Sequence, residues 1–171
     1  TPYYNKPTQE GLYQHYRAIA ESTPLPIILY NVQARTGVNI ETRTLLRLAE
    51  IPNIVGVKEA SGNITQICEV VNSVPANFIV LSGDDAITLP LMAIGGRGIV
   101  SVVSNEIPGE MVALVEAAER GDFVAARAVH HRIFSLMQVN FVEANPVPVK
   151  AARRCPAGSL AIAFSTVRLI C

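Results

Sequence analysis

The sequence has no tryptophan and little charge, and its 14 basic and 14 acidic residues cancel to a formal net charge of zero. A chain without a net field has no electrostatic means of drawing itself onto nucleic acid or anionic lipid, so neither partner is expected. No apolar run approaches the roughly 18 residues needed to cross a bilayer, and the protein reads as soluble. The three cysteines, Cys68, Cys155 and Cys171, stand far apart with no C-x-x-C spacing. That excludes a zinc site and a secreted disulfide framework, and fits a reducing cytoplasm. His15, His130 and His131 lack ligand spacing, because adjacent histidines on a helix point in different directions, so no metal is expected. No basic segment followed by an apolar one opens the chain. It begins on Thr1-Pro2-Tyr3-Tyr4 without methionine, which reads as the interior of a longer protein. Asn63-Ile64-Thr65 matches a glycosylation sequon, a chance match in a cytoplasmic protein.

What is present is aliphatic: half of the residues are hydrophobic. They fall in short, continuously apolar runs alternating with longer amphipathic ones, the pattern of parallel strands covered on both faces by crossover helices. Strands are expected at Ile27–Asn31, Ile54–Lys58, Phe78–Ser82 and Ile99–Val103, and helices at Gln9–Glu21, Glu41–Glu50, Ile64–Asn72, Asp85–Ile94, Met111–Arg120 and Phe123–Val139. The fold class is α/β. A few βα units alone leave two apolar sheet edges, so something should complete the sheet. An eight-fold barrel would do so. An open doubly wound sheet is the other architecture, but its G-x-G-x-x-G after a first strand is absent, and no nucleotide cofactor is expected.

Polar residues cluster where the apolar runs end: Tyr30 and Asn31, Lys58 and Glu59, Ser82 to Asp84, and Ser101 with Ser104. In parallel α/β folds that end of the sheet carries the active site. An apolar strand mouth disfavours an ammonium and favours the free amine, so Lys58 is a candidate nucleophile toward a carbonyl. Its ordinary alternative is a lysine snorkelling into solvent. Tyr30 is a candidate proton shuttle, or else a packed aromatic. Arg35, in the turn Gln33–Gly37, can fork onto a carboxylate, or be merely solvated. Gly83 would let the backbone approach a ligand closely, while the aspartates after it serve as a helix N-cap. Gly95-Gly96-Arg97-Gly98 precedes a strand, the wrong order for a phosphate cradle.

Several segments, in order, resemble the dihydrodipicolinate synthase family: Thr1 to Pro7, Leu29 to Val32 with Arg35-Thr36-Gly37, Val55 to Gly62, and Leu81 to Asp85. Gly98 to Val102 and Asn145 to Lys150 extend the resemblance to about Ala152. It implies a partial (β/α)₈ TIM barrel, about strands five to eight with their helices, followed by C-terminal helices. Residues 1–106 would be the partial barrel, 107–152 its last helix and the start of the C-terminal helical region, and 153–171 an atypical tail. The resemblance further implies a Schiff-base lyase condensing pyruvate with L-aspartate 4-semialdehyde on the route to lysine, without a cofactor, in a dimer or tetramer. Lys58 would form the imine, Tyr30 would move protons, and Tyr4 would join a relay completed across a dimer interface. Arg35 would hold the aldehyde's carboxylate, Gly83 and the backbone of Val100 would contact substrate, and Tyr3 matches a contact for feedback inhibition by lysine. Gln33 departs from the family's usual proline. A sialic acid lyase or keto-sugar-acid aldolase shares the lysine and tyrosine, but Arg-Thr-Gly argues against either. A non-catalytic half-barrel is the reading from a different class.

Overall fold

The computed structural model describes residues 1–154. The tail from Cys155, including the apolar stretch Leu160 to Phe164 that looks accidental in sequence, lies outside the described residues. The chain divides into two compact units, Thr1–Val100 and Ser101 onward.

In the first unit the order is α1 (Gln9–Ser22), β1 (Ile27–Asn31), α2 (Gln33–Thr36), α3 (Thr42–Ala49), β2 (Ile54–Glu59), α4 (Ile64–Ser73), β3 (Ile79–Ser82), a 3₁₀ turn (Asp85–Ile87) and α5 (Thr88–Ala93). The strands pair in parallel in the order β1-β2-β3. Helix starts follow local chemistry. Thr8 caps α1 by accepting from the Gly11 amide, Asn63 caps α4 through Gln66, and Asp84 caps the 3₁₀ turn through Ala86. Each cap satisfies an amide that the first turn leaves without a partner.

The core lies between the sheet and one layer of helices. Leu12 and Tyr16 of α1, Leu45 and Leu48 of α3, and Ile67 and Val70 of α4 pack with Leu29, Val57 and Val80 of the strands. Because strand side chains alternate, the partner positions Ile28, Tyr30, Gly56, Lys58, Ile79 and Leu81 share the opposite face. There Ile28 is 47% and Ile79 is 37% exposed. The expectation of helices on both faces is therefore corrected: within this unit they bury one face. A continuous apolar run signals burial on both sides without saying what provides it.

The fourth expected strand is also corrected. Residues 97–100 run beside β3, with Arg97 N donating to the Val80 carbonyl, Ser82 N to Gly98, and Val100 N to Ser82. Ladder pairing is limited to one bridge, Ser82 with Ile99. Ser101 then accepts from the Ser104 amide at 2.8 Å, and Val103–Asn105 form a 3₁₀ turn. The β-branched Val102 and Val103 are drawn into that turn, so the strand ends earlier than propensity suggests.

The second unit continues with α6 (Pro108–Glu119), α7 (Phe123–Val139) and α8 (Val147–Ala152). Pro108 stands at the first turn of α6, where a missing N–H costs nothing. Gly121, at φ 76°, and the Asp122 cap on Ala125 turn the chain back, so that α6 and α7 pack against each other, and Met111, Leu114, Ala126, Ile133 and Leu136 are buried. No helix among the described residues is long and apolar enough to cross a membrane.

Gly56 tests the sheet. A Cβ there would lie 2.5 Å from the Ile79 carbonyl oxygen, a backbone atom that cannot rotate away. Gly56→Ala is expected to force β2 from β3 and destabilise the chain by about 1–3 kcal/mol, read from urea unfolding. An unchanged midpoint would contradict this close approach.

Candidate functional site

The pairing of β1 with β2 sets the geometry. Ile27 pairs with Ile54, but after an irregularity Ile28 pairs with Gly56, so that Tyr30 is level with Lys58 and Asn31 with Glu59. The extra β2 residue advances the register by one position. Tyr30 and Lys58 thus share the open face, and the Lys58 Nζ sits 4.0 Å from the centre of the Tyr30 ring. A cation over an aromatic face gains about 0.5–2 kcal/mol, depending on how far it is desolvated. Both side chains are half-buried. The arrangement holds a primary amine over a phenol at the C-terminal ends of parallel strands, with apolar Ile28, Ile79 and Leu81 around it. Such a pair can attack a carbonyl and move a proton.

Gly83 shapes this place by what it lacks. A Cβ on Gly83 would come within 2.9 Å of the Lys58 Cε, 3.1 Å of its Cγ and 2.9 Å of the Ala60 Cβ. The missing side chain leaves room for the lysine itself, and the Gly83 amide donates to the Glu59 carbonyl at 2.7 Å. Val100, 45% exposed, reaches the sheet through its amide, which donates to Ser82 at 2.9 Å.

Arg35 lies exposed on α2, a single helical turn where the sequence suggested a loop, closed by Gly37 at φ 72°. A Cβ on Gly37 would fall 2.9 Å from the Lys6 Cε, so the Lys6 side chain lies against this turn. The Thr1 hydroxyl also donates to the Tyr30 carbonyl at 2.8 Å. The aromatics of that segment point outward: Tyr3 is 74% and Tyr4 is 85% exposed, with Tyr4 at φ 66°. The structure therefore brings Lys58, Tyr30 and Gly83 together. Among the described residues no hydrogen bond, ion pair or ring contact joins Tyr3, Tyr4 or Arg35 to Lys58.

Sequence reasoning assigned no role to what lies beneath. Glu59 and Asn31, next to Lys58 and Tyr30 but on the helix-facing side, are fully or almost fully buried and bonded to each other, Asn31 Nδ2 donating to Glu59 Oε2 at 3.1 Å. Strand parity could have found them, because the residue after a lysine on the open face must point into the core. No group of three or more potential metal ligands converges among the described residues.

Gly83→Ala tests the crowding at Lys58. The added methyl is expected to push the lysine chain off the Tyr30 ring. The ring-current shift of the Lys58 ε-methylene protons in the NMR spectrum should then shrink toward the free-lysine value. A spectrum in which that shift persists would show that the lysine does not depend on the glycine for its place.

A family model described as the Dihydrodipicolinate synthetase family matches residues 1–158. Proteins named 4-hydroxy-tetrahydrodipicolinate synthase are similar to the chain. That of Koribacter versatilis is 58% identical over 151 residues, covering 88% of this chain and 50% of the relative. That of Syntrophus aciditrophicus is 56% identical over 151 residues, covering 88% and 52%. The crystal structure of dihydrodipicolinate synthase from Aquifex aeolicus superposes with a TM-score of 0.87 at 48% identity, covering 88% of this chain and 52% of the other. The chloride-inhibited enzyme of Acinetobacter baumannii, complexed with pyruvate, superposes with a TM-score of 0.88 at 47% identity, covering 90% and 53%. The chain spans about half the length of the curated relatives it matches. With the family's motifs carried on a parallel sheet that superposes on its solved structures, the chain belongs to the dihydrodipicolinate synthetase family.

Proposed function

We propose that this chain supplies about strands five to eight of a (β/α)₈ barrel and its first C-terminal helices, in a cytoplasmic lyase that condenses pyruvate with L-aspartate 4-semialdehyde. The observation that carries the reading is the Lys58 amine held 4.0 Å over the Tyr30 ring on the open sheet face. The Lys58 Nζ adds to the C2 carbonyl of pyruvate and water leaves, giving a protonated imine. That cation withdraws electrons from the adjacent methyl, which loses a proton to give an enamine, with the Tyr30 phenol as shuttle. The enamine carbon attacks the aldehyde carbon. The amino group of the second substrate then adds at C2 and expels Lys58 as the free amine.

Arg35 is solvent-accessible on α2, which suits a guanidinium that meets the carboxylate of an incoming aldehyde. Val100 and Gly83 border the pyruvate place. The outward-facing Tyr4 suits a residue whose relay is completed by a second subunit of a dimer or tetramer, and Tyr3 beside it is the candidate for feedback contact. The open face with Ile28, Ile79 and Lys58 is the lining that the remaining strands of a closed barrel would cover.

Incubation with pyruvate followed by borohydride tests the reading, in the chain completed with the first half of a relative's barrel. One pyruvate-derived mass is expected at Lys58. Label on another lysine, or undiminished label in Lys58→Ala, would overturn the assignment. Arg35→Ala is expected to leave that adduct intact while raising the Michaelis constant for the aldehyde about ten- to a hundredfold, the worth of a charge-assisted hydrogen bond. Equal loss of both steps would make Arg35 structural. Residues 1–171 expressed alone are expected to show no turnover, because positioning groups outside the chain are lost. Activity comparable to that of the completed protein would sink the half-barrel reading.

A further inference from the structure

The groups behind the sheet form a directed chain of hydrogen bonds. The Glu59 carboxylate, 0% exposed, accepts from the Ser61 amide at 2.6 Å and from the Asn31 Nδ2 at 3.1 Å. Asn31 Nδ2 also donates to Asn39 Oδ1 at 2.9 Å, and Asn31 Oδ1 accepts from the Ile40 amide at 3.0 Å. Asn39 Nδ2 donates to Gln66 Oε1 at 2.7 Å, and Gln66 Nε2 returns to the Ile40 carbonyl at 2.9 Å.

The order of donors and acceptors in this chain is forced. The Ile40 amide can only donate, so Asn31 must turn its oxygen toward Ile40 and its NH₂ toward Glu59. Asn39 must then present its oxygen to Asn31 and its NH₂ to Gln66. That leaves the Gln66 NH₂ for the Ile40 carbonyl. The backbone of Ile40, a donor at its amide and an acceptor at its carbonyl, together with Glu59 thus fixes the orientation of the amides along the path. The path joins the end of β2, the end of β1, the far end of the loop that carries Arg35, and the first turn of α4. Gln9 of α1 extends it, donating to the Asn39 carbonyl at 2.8 Å and accepting from the Glu41 amide at 3.1 Å.

We infer that Glu59, acting through Asn31 and Asn39, is a positioning residue that sets the spacing of Lys58, Tyr30 and the Arg35 loop; this rests on the reading of Lys58 given above. Lys58 and Tyr30 are chain neighbours of Glu59 and Asn31, so a shift of the buried pair moves the amine and the phenol on the other face. Glu59→Gln replaces one of the two acceptor oxygens by an NH₂, which must then face either the Asn31 NH₂ or the Ser61 amide. Asn31 cannot flip without breaking its bonds to both Ile40 and Asn39, so the disturbance travels along the path. Misplacement of a reacting group by about 1 Å is worth on the order of a hundredfold in rate.

The test measures borohydride trapping of pyruvate at Lys58, together with amide exchange at Ile40 and Ser61 and the ring contact of Lys58, in the chain completed with the first half of a relative's barrel. Glu59→Gln is expected to slow trapping on the order of ten- to a hundredfold, speed exchange at Ile40 and Ser61, and weaken the ring contact. Leu48→Ala, a core truncation remote from the path, serves as a control for lost stability and should leave trapping unchanged. If Glu59→Gln does not fold, Asn39→Ala removes the far link and should slow trapping in the same direction. Equal trapping rates in wild type and a folded network variant would overturn the inference, as would a slowing no greater than in Leu48→Ala. If wild type traps no pyruvate at Lys58, the reading of Lys58 fails instead. The positioning claim is then decided by whether Glu59→Gln leaves the ring contact and the Ile40 and Ser61 amides unchanged, which would overturn it.

Discussion

The register of β1 against β2 is the constraint on which the rest depends. The extra residue near the start of β2 makes Tyr30 level with Lys58 and Asn31 level with Glu59. In a strand, shifting by one residue exchanges the two faces, so this alignment decides both surfaces of the sheet at once. On one side the amine meets the phenol ring. On the other a carboxylate meets an amide that can bond to it. Without the irregularity the lysine would stand level with Asn31, and neither pair would form.

The two faces solve different problems. The helix-facing side is buried under α1, α3 and α4, where an unpaired polar group costs about 1–3 kcal/mol, and more if it is charged. Glu59 avoids that cost only because Asn31 and the Ser61 amide are both aimed at it. The open side tolerates a lysine because its stem lies in the space that Gly83 leaves and its head rests on an aromatic face. Chemistry is thus kept on a face where groups can approach, and the bonds that hold its geometry are kept where water cannot compete.

Much of this was legible in the sequence. The apolar runs marked β1, β2 and β3 because a parallel strand packed on both sides carries few polar residues, and Lys58 and Tyr30 stood out by ending such runs. Asp84 read correctly as a cap. What was not legible depended on contacts distant in sequence. Asn39 and Gln66 carry no signal of their own, since an amide in a loop or a helix's first turn looks solvated until its partner is placed. Val102 and Val103 have strand propensity, but the Ser101 side chain offered the backbone a turn instead. That Gly83 makes room for the Lys58 stem was not legible either, because Ala60 and Lys58 come against its missing Cβ only in the fold. Periodicity showed that both sheet faces were apolar and gave no sign that helices of this unit cover only one.

The central claim is that register places a nucleophilic amine and its proton shuttle side by side on the open face. A crystal structure of the pyruvate-treated, borohydride-reduced protein tests it most directly. The account predicts continuous electron density from the Lys58 Nζ to the central carbon of a three-carbon acid, on the face that bears Ile28, Ile79 and Tyr30, with the Asn31–Glu59 pair intact behind it. Density on a different residue, or a Lys58 directed away from Tyr30 with no carbon attached, would contradict it.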